Sequence, residues 1–165
     1  MKVIDNFLDK KDFEIIRDVM MSPWFAWYYN DRVTYSNEKD GKNNFQFTHA
    51  FYYKNEKSNQ FNLLQPLLNK LEPIALARIK ANLGTKTEKH VKFGYHVDYK
   101  DSKLTTAIFY LNDNNGYTEF KRGEKIKSKA NRFVEFTSDL SHQGVSQTDT
   151  KIRVAINLNY FKNVL

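Results

Sequence analysis

The sequence predicts a mainly β, α+β domain in which helices come first and antiparallel strands follow. Helical spacing of apolar residues occurs only before residue 75. Beyond it, apolar and polar residues alternate with the period of two that is typical of half-buried strands. No helical segment separates these later strands, which favours a closed or double antiparallel sheet over alternating βαβ units. With 165 residues and no linker or repeat, the chain is expected to form one domain, residues 1–165.

The first half of the chain contains the two predicted helices and a pair of strands. FLDKKDFEIIRDVMM starts with an N-cap candidate, Asp9, and Pro23 follows its end. Its apolar positions with helical spacing are Phe13, Ile16, Val19 and Met20. The second helix is predicted in NQFNLLQPLLNKLEP. Between the helices, SPWFAWYYNDRVTYS and FQFTHAFYY are predicted as strands joined by a turn at Asp40-Gly41.

The second half of the chain is predicted to consist of strands. They are, in order, ALARIKANL, FGYHVDY, KLTTAIFYLN, YTEFKR, NRFVEF and KIRVAINLNYF. Asn115-Gly116 indicates a hairpin before YTEFKR. We therefore expect the β structure to be built mainly from residues after 75.

Composition excludes several classes of site. The absence of cysteine rules out disulfides, zinc–thiolate sites, iron–sulfur clusters and a cysteine nucleophile. The sequence shows neither a signal-peptide core nor an apolar run of membrane-spanning length, so we expect a cytoplasmic protein with no membrane partner. The net charge of +7 is concentrated only in KRGEKIKSK, residues 121–129. That segment fits a solvated hairpin, or a positive field that attracts an anionic partner such as nucleic acid.

Candidate metal ligands lie in the FGYHVDY segment. On a strand, His96 and Asp98 project to the same face and can chelate one metal ion, although a chance pair of this kind is common. His142 follows the strand NRFVEF and completes the two histidines and one carboxylate that bind non-heme Fe(II) with open positions. The competing histidines are less suitable, since His49 lies in an apolar strand as a structural residue and His90 in an exposed charged loop.

Arg153 is a candidate for binding an anionic ligand. It alternates with the apolar residues of KIRVAINLNYF, on the face that also carries Ala155, Asn157 and Asn159. This polar face either points to solvent or lines a ligand cavity. In a cavity, an arginine is suited to binding a carboxylate through two parallel hydrogen bonds.

His96-Val-Asp98, then His142, then Arg153 resembles the pattern of Fe(II)- and 2-oxoglutarate-dependent dioxygenases. TTAIFYLNDNNGYTEF and NRFVEFTSDLSHQG are similar to segments of the prolyl-4-hydroxylase-like members, and the resemblance covers about residues 76–161. SPWFAWYY and FQFTHAFY resemble small viral, phage-type members. The chain departs from many relatives at Asn115, where they have a second glycine, and at Asn131, where they have glycine. Asparagine tolerates the positive φ that such positions adopt.

The resemblance implies a double-stranded β-helix (jelly roll) with supporting N-terminal helices and one 2-oxoglutarate/Fe(II) dioxygenase domain. It implies that His96, Asp98 and His142 bind Fe(II) and that Arg153 binds the distal carboxylate of 2-oxoglutarate. By the same comparison, Tyr110 either donates to that carboxylate or is a core aromatic. Asn82 or Lys80 would line the pocket, and Lys80 or Arg78 would be the alternative anchor. The implied cofactors and co-substrates are Fe(II), 2-oxoglutarate and O2, with ascorbate as a stimulant.

The implied reaction is hydroxylation of a peptidyl proline in a peptide or protein partner, with release of succinate and CO2. Aromatic residues at 24–29 either wall a peptide groove or belong to the core. The same chemistry on nucleic acid or on a free amino acid is the alternative. A catalytically silent binding module is a further hypothesis, against which the complete set of site residues argues. For a viral protein, the expected location is the host cytoplasm.

Overall fold

The computed structural model describes residues 1–33 and 44–162. Its helices are α1 (Lys10–Met20), a 3-10 helix (Phe61–Leu64) and α2 (Gln65–Leu71). Its strands are β1 (Lys2–Ile4), β2 (Tyr28–Asn30), β3 (Gln46–Tyr53), β4 (Glu56–Lys57), β5 (Ala75–Thr85), β6 (Leu104–Tyr110), β7 (Tyr117–Phe120), β8 (Lys125–Lys127), β9 (Arg132–Thr137), β10 (His142–Val145) and β11 (Ile152–Phe161). No helix in the described ranges is both long and apolar enough to cross a membrane.

The strands form two antiparallel sheets. The major sheet has the order β1-β9-β6-β11-β5-β3-β2, with β4 paired to β3, and the minor sheet has the order β10-β7-β8. Strands adjacent in a sheet are distant in sequence, as in the pairing of β11 with β5 and with β6. This is the double-stranded β-helix of a mainly β, α+β chain, as the sequence predicted.

Two apolar cores pack against opposite faces of the major sheet. The larger joins the sheet to the helices and includes Phe13, Leu67 and Ile156. The smaller lies between the two sheets and includes Phe120 from β7 and Phe136 from β9, whose rings meet edge to face at 4.9 Å. The molecule therefore has three layers, and the face of β11 opposite Ile156 is turned towards the space between the sheets.

Helix α1 forms where the sequence predicted it. The Asp9 side chain accepts a hydrogen bond of 3.1 Å from the backbone N–H of Asp12, as an N-cap does. Phe13, Ile16 and Met20 are buried, which is the apolar face expected from their spacing. Val19 is 38% exposed, so it lies outside that face.

The hairpin predicted at Asn115-Gly116 is wrong. Strand β6 before it belongs to the major sheet and β7 after it to the minor sheet, so the connection crosses between sheets. The hairpin of this region joins β7 to β8, and Gly123 in its turn has a φ of 106°. The turn predicted at Asp40-Gly41 lies outside the described residues.

Asn131 adopts the left-handed backbone conformation, with a φ of 59°, that its place in the sequence predicted. Its side chain accepts a hydrogen bond of 2.9 Å from Leu8 N and donates one of 2.8 Å to Leu8 O. The asparagine thereby ties the start of the chain to β9, a contact that glycine could not make.

The aromatic residues at 24–29 are divided between surface and core. Trp24 is 91% exposed, and Tyr28 and Tyr29 are also exposed, whereas Phe25 is buried. Trp27 packs against the larger core and donates from Nε1 to Met20 O at 3.2 Å. The core interpretation therefore holds for two of the five aromatic side chains and fails for three.

Candidate metal centre and its cavity

His96, Asp98 and His142 meet at one point of the structure. One potential ligand atom from each lies within 4.8 Å of those of the other two. His142 opens β10, whereas the segment 93–99 is not the strand that the sequence predicted. Gly94 has a φ of 94°, which breaks regular strand geometry, and His96 is the one residue of the segment that forms a β-bridge, with His142.

Backbone carbonyls select the ring nitrogens that remain available in both histidines. His96 Nδ1 lies 3.2 Å from Gly94 O, and His142 Nδ1 lies 2.9 Å from Leu140 O. A carbonyl oxygen only accepts, so Nδ1 donates in each ring. In the neutral form of either ring the proton therefore sits on Nδ1, which leaves Nε2 to bind a metal ion.

The charge state of the cluster suits a divalent cation. Burial and the neighbouring His96 lower the pKa of His142, which favours the neutral imidazole. Burial would raise the pKa of Asp98, but the positive charge of Arg78, with further contributions from His142 and Asn159, lowers it overall. Two imidazoles and one carboxylate are the ligand set of non-heme Fe(II), so the residues present fit that ion.

A cavity between the two sheets opens beside this cluster. Both histidines line it together with Arg153, which comes from β11. Arg153 Nε donates to Ser128 Oγ at 2.7 Å, and its guanidinium carbon lies 5.5 Å from the centre of the Tyr110 ring. Burial lowers the pKa of Arg153, but an arginine keeps its charge in proteins.

No acidic side chain in the described parts of the chain forms an ion pair with Arg153. Arg153 is half-buried. A cation withdrawn from water without an acidic partner is costly, and a carboxylate ligand would remove much of that cost. The sequence left open whether the polar face of β11 points to solvent or lines a cavity. It lines a cavity, because Ala155 and Asn157 lie in the same cavity wall as Arg153.

Asn82 contributes an unsatisfied acceptor to the same cavity. It lines the cavity from β5, and within the described structure its Oδ1 is buried with no hydrogen-bond partner. Such an atom carries a desolvation cost that a ligand donor would offset. Lys80 lies two residues earlier in β5 and is not among the cavity-lining residues, and burial lowers its pKa to about 8.

Tyr110 lies beside Arg153 but behind the cavity wall. It is fully buried in the smaller core, and its hydroxyl forms a hydrogen bond of 2.7 Å with Thr118 Oγ1. Thr118 lines the cavity and Tyr110 does not. Burial raises the pKa of Tyr110, so the phenol stays neutral.

The other two histidines take the places expected of them. His49 is buried, with Nδ1 at 2.9 Å from Ala26 O and Nε2 at 3.1 Å from Ser58 Oγ, so both ring nitrogens have partners. His90 is exposed at the start of the segment that leads to His96.

The basic segment 121–129 is partly neutralised within the protein. Lys125 pairs with Glu119 at 3.5 Å, Arg122 with Glu124 at 3.0 Å and Lys129 with Asp5 at 2.9 Å. These pairs favour the solvated hairpin over a dedicated anion-binding surface.

Arg78 is the site residue whose role the sequence did not reveal. It forms an ion pair of 3.0 Å with Asp98, whose side chain is 5% exposed. The sequence predicted that Arg78 lies on the polar face of β5. It did not reveal that its partner is Asp98, because Asp98 lies in an irregular segment. Since its charge is engaged by Asp98, Arg78 is not a free alternative anchor for a co-substrate.

Comparison with known proteins gives structural likeness without sequence matches. No protein-family model and no curated protein sequence matches the chain. A prolyl hydroxylase from Trichoplax adhaerens, in complex with a peptide fragment of the hypoxia inducible factor oxygen degradation domain, is 15% identical with a TM-score of 0.64, over 98% of this chain and 83% of that one. A 2OG-Fe(II) oxygenase family oxidoreductase from Burkholderia pseudomallei is 9% identical with a TM-score of 0.66, over 96% and 84%.

A viral protein with a similar structure is the collagen prolyl hydroxylase of Paramecium Bursaria Chlorella virus-1. It is 15% identical with a TM-score of 0.55, and the likeness covers 97% of this chain and 88% of that one. The chain therefore shares, over nearly its whole length, the fold of 2OG-Fe(II) oxygenases that include prolyl hydroxylases.

Proposed function

We propose that this chain is an Fe(II)- and 2-oxoglutarate-dependent dioxygenase that hydroxylates a peptidyl proline and releases succinate and CO2. The observation that carries the proposal is the convergence of His96, Asp98 and His142 within 4.8 Å, at a cavity that Arg153 also lines. A ligand set for Fe(II), and a cation that no acidic side chain of the described residues engages, are the two binding features that this chemistry requires.

The residues have separate tasks in this proposal. His96, Asp98 and His142 hold the iron, and the backbone carbonyls fix the imidazole tautomers. Arg153 binds the distal carboxylate of 2-oxoglutarate, with Asn82 beside it. When bound, iron and 2-oxoglutarate supply the oxidising chemistry, in which O2 delivers one oxygen atom to succinate and one to the substrate.

Charge balance supports the role of Arg153. Asp98 neutralises one of the two positive charges of a ferrous ion, and dianionic 2-oxoglutarate then leaves one net negative charge. Arg153 offsets that charge inside a cavity where water screens it weakly. Apolar cavity residues, including Phe93 and Ile108, help to exclude water from the ligands.

The peptidyl substrate is supported by likeness and by surface chemistry. Two of the structures with the same fold are prolyl hydroxylases, one of them in complex with a peptide. Phe45 lines the cavity and is 45% exposed, and its ring centre lies 5.9 Å from that of the exposed Tyr29. An aromatic surface that continues from the cavity suits an apolar proline-containing segment.

The test is mass spectrometry of a library of proline-containing peptides incubated with the protein, Fe(II), 2-oxoglutarate and ascorbate. The expected result is a gain of one oxygen atom on proline with an equal amount of succinate. His142→Ala is the matched control and should give neither product.

Other outcomes redirect the proposal. Succinate formed with oxidation of oligonucleotides or of a free amino acid, and not of peptides, would keep the dioxygenase and replace its substrate. Peptide binding that persists without metal, and with no succinate, would instead identify a silent binding module.

A further inference from the structure

The carboxylate of Asp98 is held by a closed ring of side chains from three strands. Arg78 Nη2 donates to Asp98 Oδ1 at 3.0 Å, and Arg78 Nε donates to Asn159 Oδ1 at 3.0 Å. Asn159 Nδ2 in turn donates to Asp98 Oδ2 at 3.0 Å. Asn159 itself is fully buried. One guanidinium therefore holds the carboxylate directly through one oxygen and indirectly through the other.

Thr106 completes the set of donors. Its Oγ1 donates to Asp98 Oδ2 at 3.1 Å and accepts from Asn159 Nδ2 at 2.9 Å. Ser138 Oγ lies 2.8 Å from Thr106 Oγ1, and either hydroxyl can be the donor of that hydrogen bond. When Ser138 donates, the single proton of Thr106 is left for Asp98.

Counting acceptor sites shows what remains for a metal ion. An ionised carboxylate has about four lone-pair sites, two on each oxygen. Asp98 Oδ2 accepts from Thr106 and Asn159, and Oδ1 accepts from Arg78, so the protein supplies three donors. At least one acceptor site of the carboxylate is therefore left for a metal ion.

We propose that Arg78 is a positioning residue that fixes the orientation in which the Asp98 carboxylate meets a metal ion. This inference rests on the proposed function, because it takes Asp98 as a ligand of the iron. Arg78 contacts neither substrate nor co-substrate in this account, and it acts through Asp98.

The shape of the arginine is essential to this role. Its planar fork reaches Asp98 and Asn159 at the same time, and its guanidinium carbon lies 5.7 Å from the centre of the Tyr99 ring, which supports one face of the fork. A lysine would keep the positive charge but would make at most one of the two contacts in the same place.

The test is metal affinity, measured by calorimetry with Mn(II) and without 2-oxoglutarate. Partners of this kind that orient a ligand typically change metal affinity by about 10–100-fold when removed. We expect Arg78→Met to weaken Mn(II) binding by about this factor, and Arg78→Lys to stay at least about tenfold weaker than the wild type. Arg132→Met is the matched control, because Arg132 also holds a carboxylate, Asp5, through two hydrogen bonds. It should bind Mn(II) as the wild type does.

A spectroscopic readout separates orientation from loss of folded protein. At saturating Co(II), partial unfolding would lower the visible absorption without changing its shape, whereas a reoriented carboxylate changes the shape. We expect Arg78→Met to change the shape of the Co(II) absorption spectrum. If Arg78→Met fails to fold, the same change of shape is expected in Arg78→Lys. Wild-type Mn(II) affinity with an unchanged Co(II) spectrum in the Arg78 variants would overturn the role of Arg78.

The two proposals fail in different ways. If Asp98→Ala binds Mn(II) as tightly as the wild type does, Asp98 is not a ligand, and the proposed function falls together with this inference. If Asp98→Ala loses the metal ion but Arg78→Met keeps it unchanged, only the role of Arg78 is wrong.

Discussion

The main chains of His96 and His142 exchange two hydrogen bonds of 2.9 Å, one in each direction. Their ring centres lie 4.7 Å apart. A reciprocal pair of this kind fixes two residues directly opposite each other in an antiparallel ladder. The spacing of the two histidines is thus set by the backbone and does not depend on a bound metal ion.

This relationship predicts that metal binding and folding can be separated. His96→Ala should abolish metal binding but leave the free energy of unfolding within about 1 kcal/mol of the wild type, because the backbone pair survives. Calorimetry with Mn(II) and urea denaturation are the two measurements. Unfolding of His96→Ala under conditions where the wild type is folded would contradict the prediction.

His49→Ala is the control with the opposite pattern. The buried His49 has hydrogen-bond partners at both ring nitrogens, so its removal should destabilise the protein by about 1–3 kcal/mol. Its affinity for Mn(II) should equal that of the wild type, because His49 lies outside the cluster of possible ligands.

The second prediction concerns the anchor for 2-oxoglutarate. Arg153→Ala should weaken 2-oxoglutarate binding by about 3–5 kcal/mol, more than a hundredfold, because it leaves a buried carboxylate without its partner. Arg153→Lys should recover only part of this loss, since an ammonium lacks the planar fork. Calorimetric titration of the Mn(II)-loaded protein measures both. Arg122→Ala, at the exposed hairpin, is the control and should bind 2-oxoglutarate as the wild type does. Wild-type affinity for 2-oxoglutarate in Arg153→Ala would refute the assignment of Arg153 as the anchor.

Gly116 gives an independent test of the position of Arg153. A Cβ at this residue would lie 2.9 Å from Arg153 Cδ, 2.8 Å from Asn114 Oδ1 and 3.0 Å from the carbonyl oxygen of Val145. Gly116→Ala should therefore cost about 1–3 kcal/mol of stability through overpacking. We also expect 2-oxoglutarate to bind about tenfold more weakly, since the guanidinium is displaced.

The comparison for Gly116 is a glycine with open space around it. A Cβ at Gly84 would meet nothing within 4 Å, so Gly84→Ala should change the free energy of unfolding by less than about 0.5 kcal/mol. Equal stabilities of the two alanine variants in urea denaturation would show that Gly116 is not tightly packed.

The fourth prediction concerns the half-buried ammonium of Lys80. Burial, with a further contribution from the charge of Arg78, lowers the pKa of Lys80 from 10.5 to about 8. Between pH 8 and 10.5 the unfolded chain binds more protons at Lys80 than the folded chain does, so the free energy of unfolding rises with pH over this range. Below pH 8, burial of the charged lysine lowers the free energy of unfolding by about 3 kcal/mol.

Lys80→Met should remove this cost. The variant should be more stable than the wild type near neutral pH, by up to about 3 kcal/mol, and the difference should shrink as the pH rises from about 8 to 10.5. Urea denaturation of both proteins across this range measures the difference. A difference that does not change with pH would contradict the account.

The sequence was informative wherever a single strand or helix decides the outcome. Alternation along KIRVAINLNYF predicted that Ile156 faces a core and that Arg153 lies on the other face, because period two follows from strand geometry alone. The structural role of His49 was predictable for the same reason, since an apolar strand buries its polar residues only with partners.

The features that the sequence did not reveal depend on contacts between distant segments. The 93–99 segment has strand-like residues, but Gly94 and the pairing with β10 give it an irregular path. The Asn115-Gly116 pair has a hairpin composition, yet the strands on its two sides pair with other strands. The bond from Arg78 to Asp98 joins a regular strand to that irregular segment, and no local pattern encodes it.

The most direct test of the account is anaerobic titration of the protein with Fe(II) in the presence of 2-oxoglutarate, followed by visible absorption. The account predicts a weak charge-transfer band that saturates at one iron per chain, and it predicts that His96→Ala, Asp98→Ala and His142→Ala each abolish the band. A band that persists in all three variants, or a wild-type protein that shows none, would contradict the assignment of these residues as the ligands of an iron–2-oxoglutarate site.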